Sequence, residues 1–195
     1  MRKTVGVLAL QGDFAEHLHV LNRLGADGQE IRLPAQLKDV DGLIIPGGES
    51  TTIGKLAVAY HLMDPLREFA QTKPIWGTCA GAIFLSKDAR RDQPLLGLMD
   101  IIVERNAFGR QVASFETDIP VPALQAIGDD NPPYHAVFIR APLIEAVQGD
   151  AQSLATLPDG RIVAAQQGRL LATSFHPELT RDDRFHRYFL HLLGN

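Results

Sequence analysis

The sequence predicts an α/β fold: an open, mostly parallel sheet with flanking helices and a small antiparallel extension. Three observations lead there. Short, continuously apolar runs at residues 5–10 and 42–46 read as strands buried on both faces, and each precedes a stretch that can form a helix. The run Pro74-Ile75-Trp76 leads into Gly77-Thr78-Cys79-Ala80-Gly81, a sharp strand-to-helix turn that carries the chain's one cysteine. Between about Gly97 and Arg140 the apolar residues alternate more, and prolines cluster at Pro120, Pro122, Pro132 and Pro133. That segment reads as short, partly antiparallel strands and loops on one side of the main sheet.

Taken in order, residues 5–10 form the first strand. Phe14, Leu18, Leu21 and Leu24 then recur at helical spacing until Gly25 stops the run. Residues 30–33 are a short strand and residues 42–46 a stronger one, ending in Gly47-Gly48. Ser50-Thr51-Thr52 can cap the next helix. Residues 73–78 form the strand that feeds Cys79, and the small-residue run from Ala80 to Leu85 forms the helix behind it. The first half therefore reads β-α-β-β-α-β-α. Further strands are expected around 101–103, 112–115 and 136–139. Residues 153–156 and 162–166 make a hairpin about Pro158-Asp159-Gly160. Residues 170–175 form a last strand that runs into His176. Residues 182–193 close the chain as an amphipathic helix, with Phe185, Tyr188, Phe189 and Leu192 toward the core. No repeat, linker or low-complexity segment interrupts it, so residues 1–195 read as a single domain.

Bulk properties narrow the function. With 195 residues and 45% hydrophobic content, the chain can bury a core of its own. The net charge of -4 comes without a basic stretch that would suit nucleic acid or an acidic tail that would suit disorder. No apolar run approaches the ~20 residues that a membrane helix needs. The N-terminal run stops at Gln11-Gly12-Asp13, too short for a secretory signal, so a cytoplasmic location is expected. One cysteine excludes an internal disulfide framework and fits a reducing compartment.

Most lone cysteines are small buried hydrophobes. The flanking glycines of Cys79 argue otherwise, because they let the chain turn sharply and present the thiol at the carboxyl end of a strand. The positive end of a helix dipole there favours thiolate. A cysteine nucleophile needs a base, and the base needs an orienting group. Ser174-Phe175-His176-Pro177-Glu178 offers both: in extended chain His176 and Glu178 share a face, and Pro177 holds His176 extended. An ordinary His-Pro turn is the plain alternative. Gly47-Gly48 can present backbone N–H groups to a developing oxyanion, with the N–H of Ala80 as the second donor. A simple turn is the alternative there. His17 and His19 lie two apart on a helix and do not share a face, while His61, His135, His186 and His191 lack a companion pattern in the sequence. These six are read as structural or solvated, and no metal site is expected. The three chemistry-bearing strings all fall at carboxyl ends of strands, where open α/β sheets place their sites. They point to a thiol-dependent acyl transfer or hydrolysis.

The elbow at Cys79 with a distant His176-Pro177-Glu178 resembles the class I, triad-type glutamine amidotransferases. More narrowly, the chain resembles the PdxT/SNO family, the glutaminase subunits of pyridoxal 5′-phosphate synthases. The strings that carry the resemblance are residues 6–12 (GVLALQG), 46–52 (PGGESTT), 104–111 (ERNAFGRQ), 138–142 (FIRAP) and 174–179 (SFHPEL). It runs from the first strand to the last helix. It implies a flavodoxin-like sheet and hydrolysis of L-glutamine to glutamate and ammonia through a γ-glutamyl thioester on Cys79. His176 is then base and later acid, and Glu178 orients it. The resemblance also implies that Gly47, Gly48 and Glu49 line the glutamine site, with Arg105 beside it and Ile139-Arg140 completing it. Arginine suits the α-carboxylate of glutamine, which guanidinium can bind bidentately.

No cofactor is implied. The implied partner is a TIM-barrel synthase subunit that receives the ammonia, twelve copies of each subunit forming the complex, with the glutaminase poorly active alone. Glu49 and Asn106 are expected to help couple the site to that partner, and glycines at 47 and 48 would permit a peptide flip there. Two positions depart from related patterns. Ile83 stands where many amidotransferase elbows carry glutamine, which suits the vitamin B6 branch. Leu143 stands where some members of the narrower family carry histidine. A stand-alone cysteine hydrolase of related fold is the alternative; it would turn over without a partner and show little preference for free glutamine.

Overall fold

The computed structural model describes residues 2–105, 114–128 and 130–194. The order is β1 (Thr4–Leu8), α1 (Phe14–Arg23), β2 (Asp27–Ile31), β3 (Gly42–Ile45), α2 (Ser50–Ala59), α3 (Met63–Ala70), β4 (Ile75–Thr78) and α4 (Ala80–Leu85). It continues with β5 (Ser86–Asp88), β6 (Met99–Glu104), β7 (Ser114–Ile119), β8 (Tyr134–Ile139), β9 (Leu143–Val147), β10 (Gln152–Thr156), β11 (Ile162–Gln167), β12 (Leu170–Thr173) and α5 (Arg184–Leu192).

One sheet runs in the order β2-β1-β3-β4-β12-β11-β9-β6-β5, with β10 paired to β11. From β2 to β12 every neighbour is parallel. Beyond β12 the sheet turns antiparallel through β11, β9 and β6, and only the β5–β6 pair at the far edge is parallel. β7 and β8 pair antiparallel as a separate two-stranded sheet. The fold is thus the expected α/β architecture, but most of the antiparallel strands extend the main sheet instead of lying beside it. Only β7 and β8 stand apart.

The strand periodicity divides the core. Ile75 faces a cluster with Ile53 and Ala57 of α2, Leu66 and Phe69 of α3, and all of α4 except Gly81. Trp76, the next residue, faces the opposite cluster with Leu21 of α1, the inner residues of β7 and β8, and Phe185, Tyr188, Phe189 and Leu192 of α5. The four α5 residues are those expected from the pattern. At about 1.5–3 kcal/mol for burying each large apolar side chain, they are enough to dock that helix.

Three local expectations change. The second strand is Asp27–Ile31, a few residues earlier than read, because it pairs in parallel with β1 over its whole length. Residues 63–70 form an additional helix despite Pro65, which lies in its first turn where its missing N–H costs nothing. The cap of α2 is Glu49, not the Ser50-Thr51-Thr52 run: Glu49 is extended, and its carboxylate accepts from Thr52 N–H at 3.0 Å.

The chain leaves β1 for β2 on one side and returns to β3 on the other, which opens a crevice at the carboxyl ends of β1 and β3. Gln11 to Asp13, Gly47-Gly48, Cys79 and His176 follow β1, β3, β4 and β12, four adjacent strands. No helix among the described residues is long and apolar enough to cross a membrane.

Candidate active site

Cys79 sits between β4 and α4 with φ 48 and ψ -106, a conformation that side-chain-bearing residues rarely adopt. The sharp turn therefore resides on the cysteine itself. Gly77 and Gly81 serve a different need from the one expected of them: close approach. A Cβ on Gly77 would lie 2.4 Å from the Gly81 carbonyl oxygen, and one on Gly81 would lie 2.0 Å from that of Ile45. The Cys79 N–H is held by the Thr173 carbonyl at 2.8 Å, and its own carbonyl accepts from Ala82 at 3.1 Å. This tethers the elbow to β12, the strand that delivers His176.

His176 Nδ1 and Glu178 Oε1 lie 2.6 Å apart, both side chains buried. Their backbone is not the extended strand expected: Pro177–Leu179 forms one 3-10 turn, and the two residues still meet across it. Burial works against an imidazolium here. The hydrogen bond with Cys79 and the one with Glu178 outweigh it and push the His176 pKa up to about 11. With Nδ1 committed to Glu178, Nε2 is the nitrogen left for the sulfur. Burial likewise works against the Glu178 carboxylate, but His17 and His176 hold it below the usual carboxylate range.

Asp13, which the sequence did not single out, places Oδ2 3.6 Å from His176 Nδ1. Partial burial and the nearby Glu178 charge push its carboxyl up, against the opposing pull of His176. Ligating atoms of Asp13, His176 and Glu178 lie within 4.8 Å of one another. The short His176–Glu178 bond already engages Nδ1.

The Gly47-Gly48 loop packs directly over the histidine: a Cβ on Gly47 would lie 2.7 Å from His176 Cε1. The loop is pinned from the α1 side. Asp13 N–H donates to the Gly47 carbonyl at 3.1 Å, and Glu49 N–H donates to Gln11 Oε1 at 2.7 Å. Gly48 has φ 149, and a Cβ there would meet Gln11 Oε1 at 2.4 Å. Glu49 and Arg105 are each other's partners: Arg105 Nη2 lies 2.5 Å from Glu49 Oε1, and Nη1 donates to Thr51 Oγ1 at 3.2 Å. Slight burial opposes the Glu49 carboxylate, while Thr52 and Arg105 more than compensate and lower its pKa. A substrate carboxylate arriving at Arg105 would thus share it with Glu49.

Ile139 ends β8 and Arg140 follows with φ 44, both exposed. Their strand is tied to the site through its backbone, because Val137 of β8 accepts the His176 N–H at 2.8 Å. Asn106 lies outside the described residues. Leu143 is half-buried at the start of β9, opposite Glu104.

The larger surprise is His17. Read as structural or solvated, it is fully buried, with Nε2 3.4 Å from Glu178 Oε2 and 3.3 Å from Thr78 Oγ1. Its Nδ1 lies 2.9 Å from Nε2 of His186, also fully buried. Both rings stand edge-on to Trp76, with centroids 5.9 and 5.0 Å away. The available signal was His17 on the inner face of α1, four residues before Leu21, and His186 beside Phe185 in α5; proximity across 169 residues has no local signature.

An open α/β sheet with a cysteine elbow, a histidine–carboxylate pair and a glycine loop at its carboxyl edge is the arrangement expected of a glutamine amidotransferase. Comparison with known proteins makes this specific. The model of the SNO glutamine amidotransferase family matches residues 7–194, and the chain belongs to that family. A pyridoxal 5′-phosphate synthase subunit PdxT from Roseiflexus sp. (strain RS-1) is 58% identical over 191 residues, covering 96% of this chain and 98% of its own. The subunit of the same name from Herpetosiphon aurantiacus is 58% identical over 194 residues, covering 97% and 100%. A crystal structure described as a glutamine amidotransferase superposes with a TM-score of 0.90 at 49% identity, covering 98% of this chain and 99% of its own. A putative GMP synthase subunit from Thermoplasma acidophilum shares the fold, with a TM-score of 0.70 at 18% identity.

Proposed function

We propose that this chain is the glutaminase subunit of a pyridoxal 5′-phosphate synthase, hydrolysing L-glutamine to L-glutamate and ammonia for a TIM-barrel synthase subunit. The observation that carries the chemistry is the convergence of Cys79, on its strained elbow, with the His176–Glu178 pair. Membership of the glutamine amidotransferase family and the identities to PdxT subunits support glutamine as the substrate and a synthase subunit as the partner.

In this reading the Cys79 thiolate attacks the γ-carboxamide carbon. The Ala80 N–H and the Gly47-Gly48 loop receive the oxyanion. The His176 imidazolium gives its proton to the departing nitrogen, and ammonia leaves a γ-glutamyl thioester. Neutral His176 then takes a proton from water as the water attacks the thioester. Collapse expels the Cys79 thiolate, releases glutamate and restores the ion pair. Glu178, bonded to Nδ1, holds the ring with Nε2 toward the sulfur throughout. Arg105, Ile139-Arg140 and Glu49 complete the glutamine site, the arginines facing its α-carboxylate. Reorienting the Gly47-Gly48 peptide on partner binding would break the single Asp13–Gly47 bond. Residues 1–195 act as one domain, in a complex of twelve glutaminase and twelve synthase subunits in the cytoplasm.

Ammonia release from glutamine, measured with and without the synthase subunit for wild type and Cys79→Ala, tests this. Release by wild type that rises with the synthase and vanishes in Cys79→Ala is expected. No release by wild type under either condition contradicts the proposal. Full release without the synthase, with esters or peptides accepted as readily as glutamine, would favour a stand-alone hydrolase.

A further inference from the structure

We infer that His17, with His186 behind it, is a positioning residue for the triad: its Nε2–H supports the second oxygen of Glu178 and so fixes the carboxylate that orients His176. The inference rests on the glutaminase reading for its rate readout, but its geometry stands by itself.

Glu178 is buried with its two oxygens differently served. Oε1 receives His176 at 2.6 Å, while Oε2 has no well-aligned hydrogen bond among the described residues and faces His17 Nε2 at 3.4 Å. A buried carboxylate oxygen left bare is costly, so the group opposite it decides whether Glu178 stays ionised.

The chemistry fixes the tautomers. Nε2 of His17 faces Glu178 Oε2 and Thr78 Oγ1 together. A lone pair there would oppose the carboxylate, whereas an N–H attracts it, so Nε2 carries the hydrogen. Nδ1 of His17 is then an acceptor, and it takes the Nε2–H of His186 at 2.9 Å. The relay ends at His186 Nδ1, an atom with no hydrogen-bond partner among the described residues. In this arrangement that end is a bare acceptor; the reverse arrangement would strand an N–H, the rarer defect. Burial keeps both histidines neutral by pushing their pKa values down. What His17 offers Glu178 is therefore an N–H dipole and not a charge. Trp76 and Thr78 belong to β4, so the same contacts tie the carboxylate to the strand that carries Cys79. The titratable groups facing Glu178 are His176, His17, Asp13 from the start of α1, and Tyr134 from β8.

Two variants separate positioning from packing. His17→Leu keeps bulk and loses the N–H; His17→Gln places an amide N–H near the Nε2 position and an oxygen that can accept from His186. Two readouts apply: kcat and KM for glutamine in the complete synthase complex, and the pH dependence of Cys79 alkylation by iodoacetamide in the same complex. The second needs no turnover, so it remains informative if wild type releases no ammonia, an outcome that would count against the glutaminase reading alone. His17→Leu is expected to lower kcat about 10- to 100-fold with KM nearly unchanged. Its acid limb of alkylation should move up by about one pH unit, because Glu178 loses a donor to its charged form. His17→Gln should recover most of both. If His17→Leu does not fold, His17→Asn replaces it, since its amide stops short of Glu178. An unmoved acid limb in the variant lacking the donor, or equal losses in His17→Gln, would overturn the inference.

Discussion

The strain on Cys79 makes a prediction with an unusual sign. At an ordinary position, replacing alanine by glycine destabilises a protein by roughly 0.5–1 kcal/mol, because glycine loses more backbone freedom on folding. Cys79 holds φ 48 and ψ -106, the angles of the first central residue of a type II′ turn, where glycine is favoured. A residue with a Cβ held in such a region carries about 1–3 kcal/mol of strain. Cys79→Ala retains that strain and Cys79→Gly releases it. Both remove the thiol, so the loss of its contact with His176 cancels in the comparison. A strain of about 2 kcal/mol against 0.5–1 kcal/mol leaves about 1 kcal/mol in favour of glycine. In a chain of this size that is about 2–4 °C in Tm. Thermal unfolding of the two variants, followed by circular dichroism in one buffer, measures it directly. A glycine variant that melts below the alanine variant by the ordinary margin would refute the strain argument. It would also refute the view that the elbow is held by its surroundings, the Thr173 bond and the close-packed glycines, against its local preference.

Three further outcomes are expected. Gly47→Ala puts a Cβ 2.7 Å from His176 Cε1, and the ring is pinned by Glu178, so overpacking of about 1–3 kcal/mol should lower kcat about 10- to 100-fold; steady-state ammonia release at wild-type rate would contradict it. Glu178→Gln should lower kcat by up to about 10⁴-fold, because an amide neither stabilises the imidazolium nor enforces its tautomer, while a loss of less than tenfold would mean that Glu178 only fills space. Stability should fall on both sides of neutrality. His17 and His186 have folded pKa values below 6.5, so their contribution is present above that pH and is lost below it, at up to about 1.4 kcal/mol per pH unit each. His176, raised to about 11, contributes fully below 6.5 and loses that contribution as pH rises toward 11. Urea midpoints from pH 5 to 10 report both limbs, and a flat acid side would contradict the neutral-histidine assignment.

The elements and residues legible in the sequence are those with a local signature. β1 and β3 lie in continuous apolar runs, β4 is marked by the elbow that follows it, and α5 has a clean helical period. The nucleophile and its base–carboxylate pair are marked by short strings in which spacing and residue type are themselves the chemistry. What was not legible depends on distant chain or on backbone detail. β2 begins earlier than its apolar residues suggest because pairing with β1, not side-chain burial, sets its ends. α3 has no clear signature in the sequence because Pro65 punctuates it, although a proline in a first turn is harmless. β6, β9 and β11 join the main sheet through pairings that alternation alone cannot distinguish from a separate sheet. Arg105 was expected to face substrate, yet it also anchors Glu49, a contact that spans 56 residues. The histidine relay is the extreme case: α1, α5 and the end of β12 meet at one carboxylate, and nothing near His17 in sequence announces it.

Turnover through this site requires Cys79 to form a covalent bond to the substrate's acyl group, with His176 and Glu178 behind it. Rapid acid quench of the protein turning over glutamine with the synthase subunit present, followed by mass spectrometry of the peptide containing Cys79, tests it most directly. A γ-glutamyl adduct on Cys79 that appears before steady state and is absent from Cys79→Ala is the predicted result. Ammonia released at an undiminished rate by Cys79→Ala, with no adduct on the wild-type peptide, would contradict it.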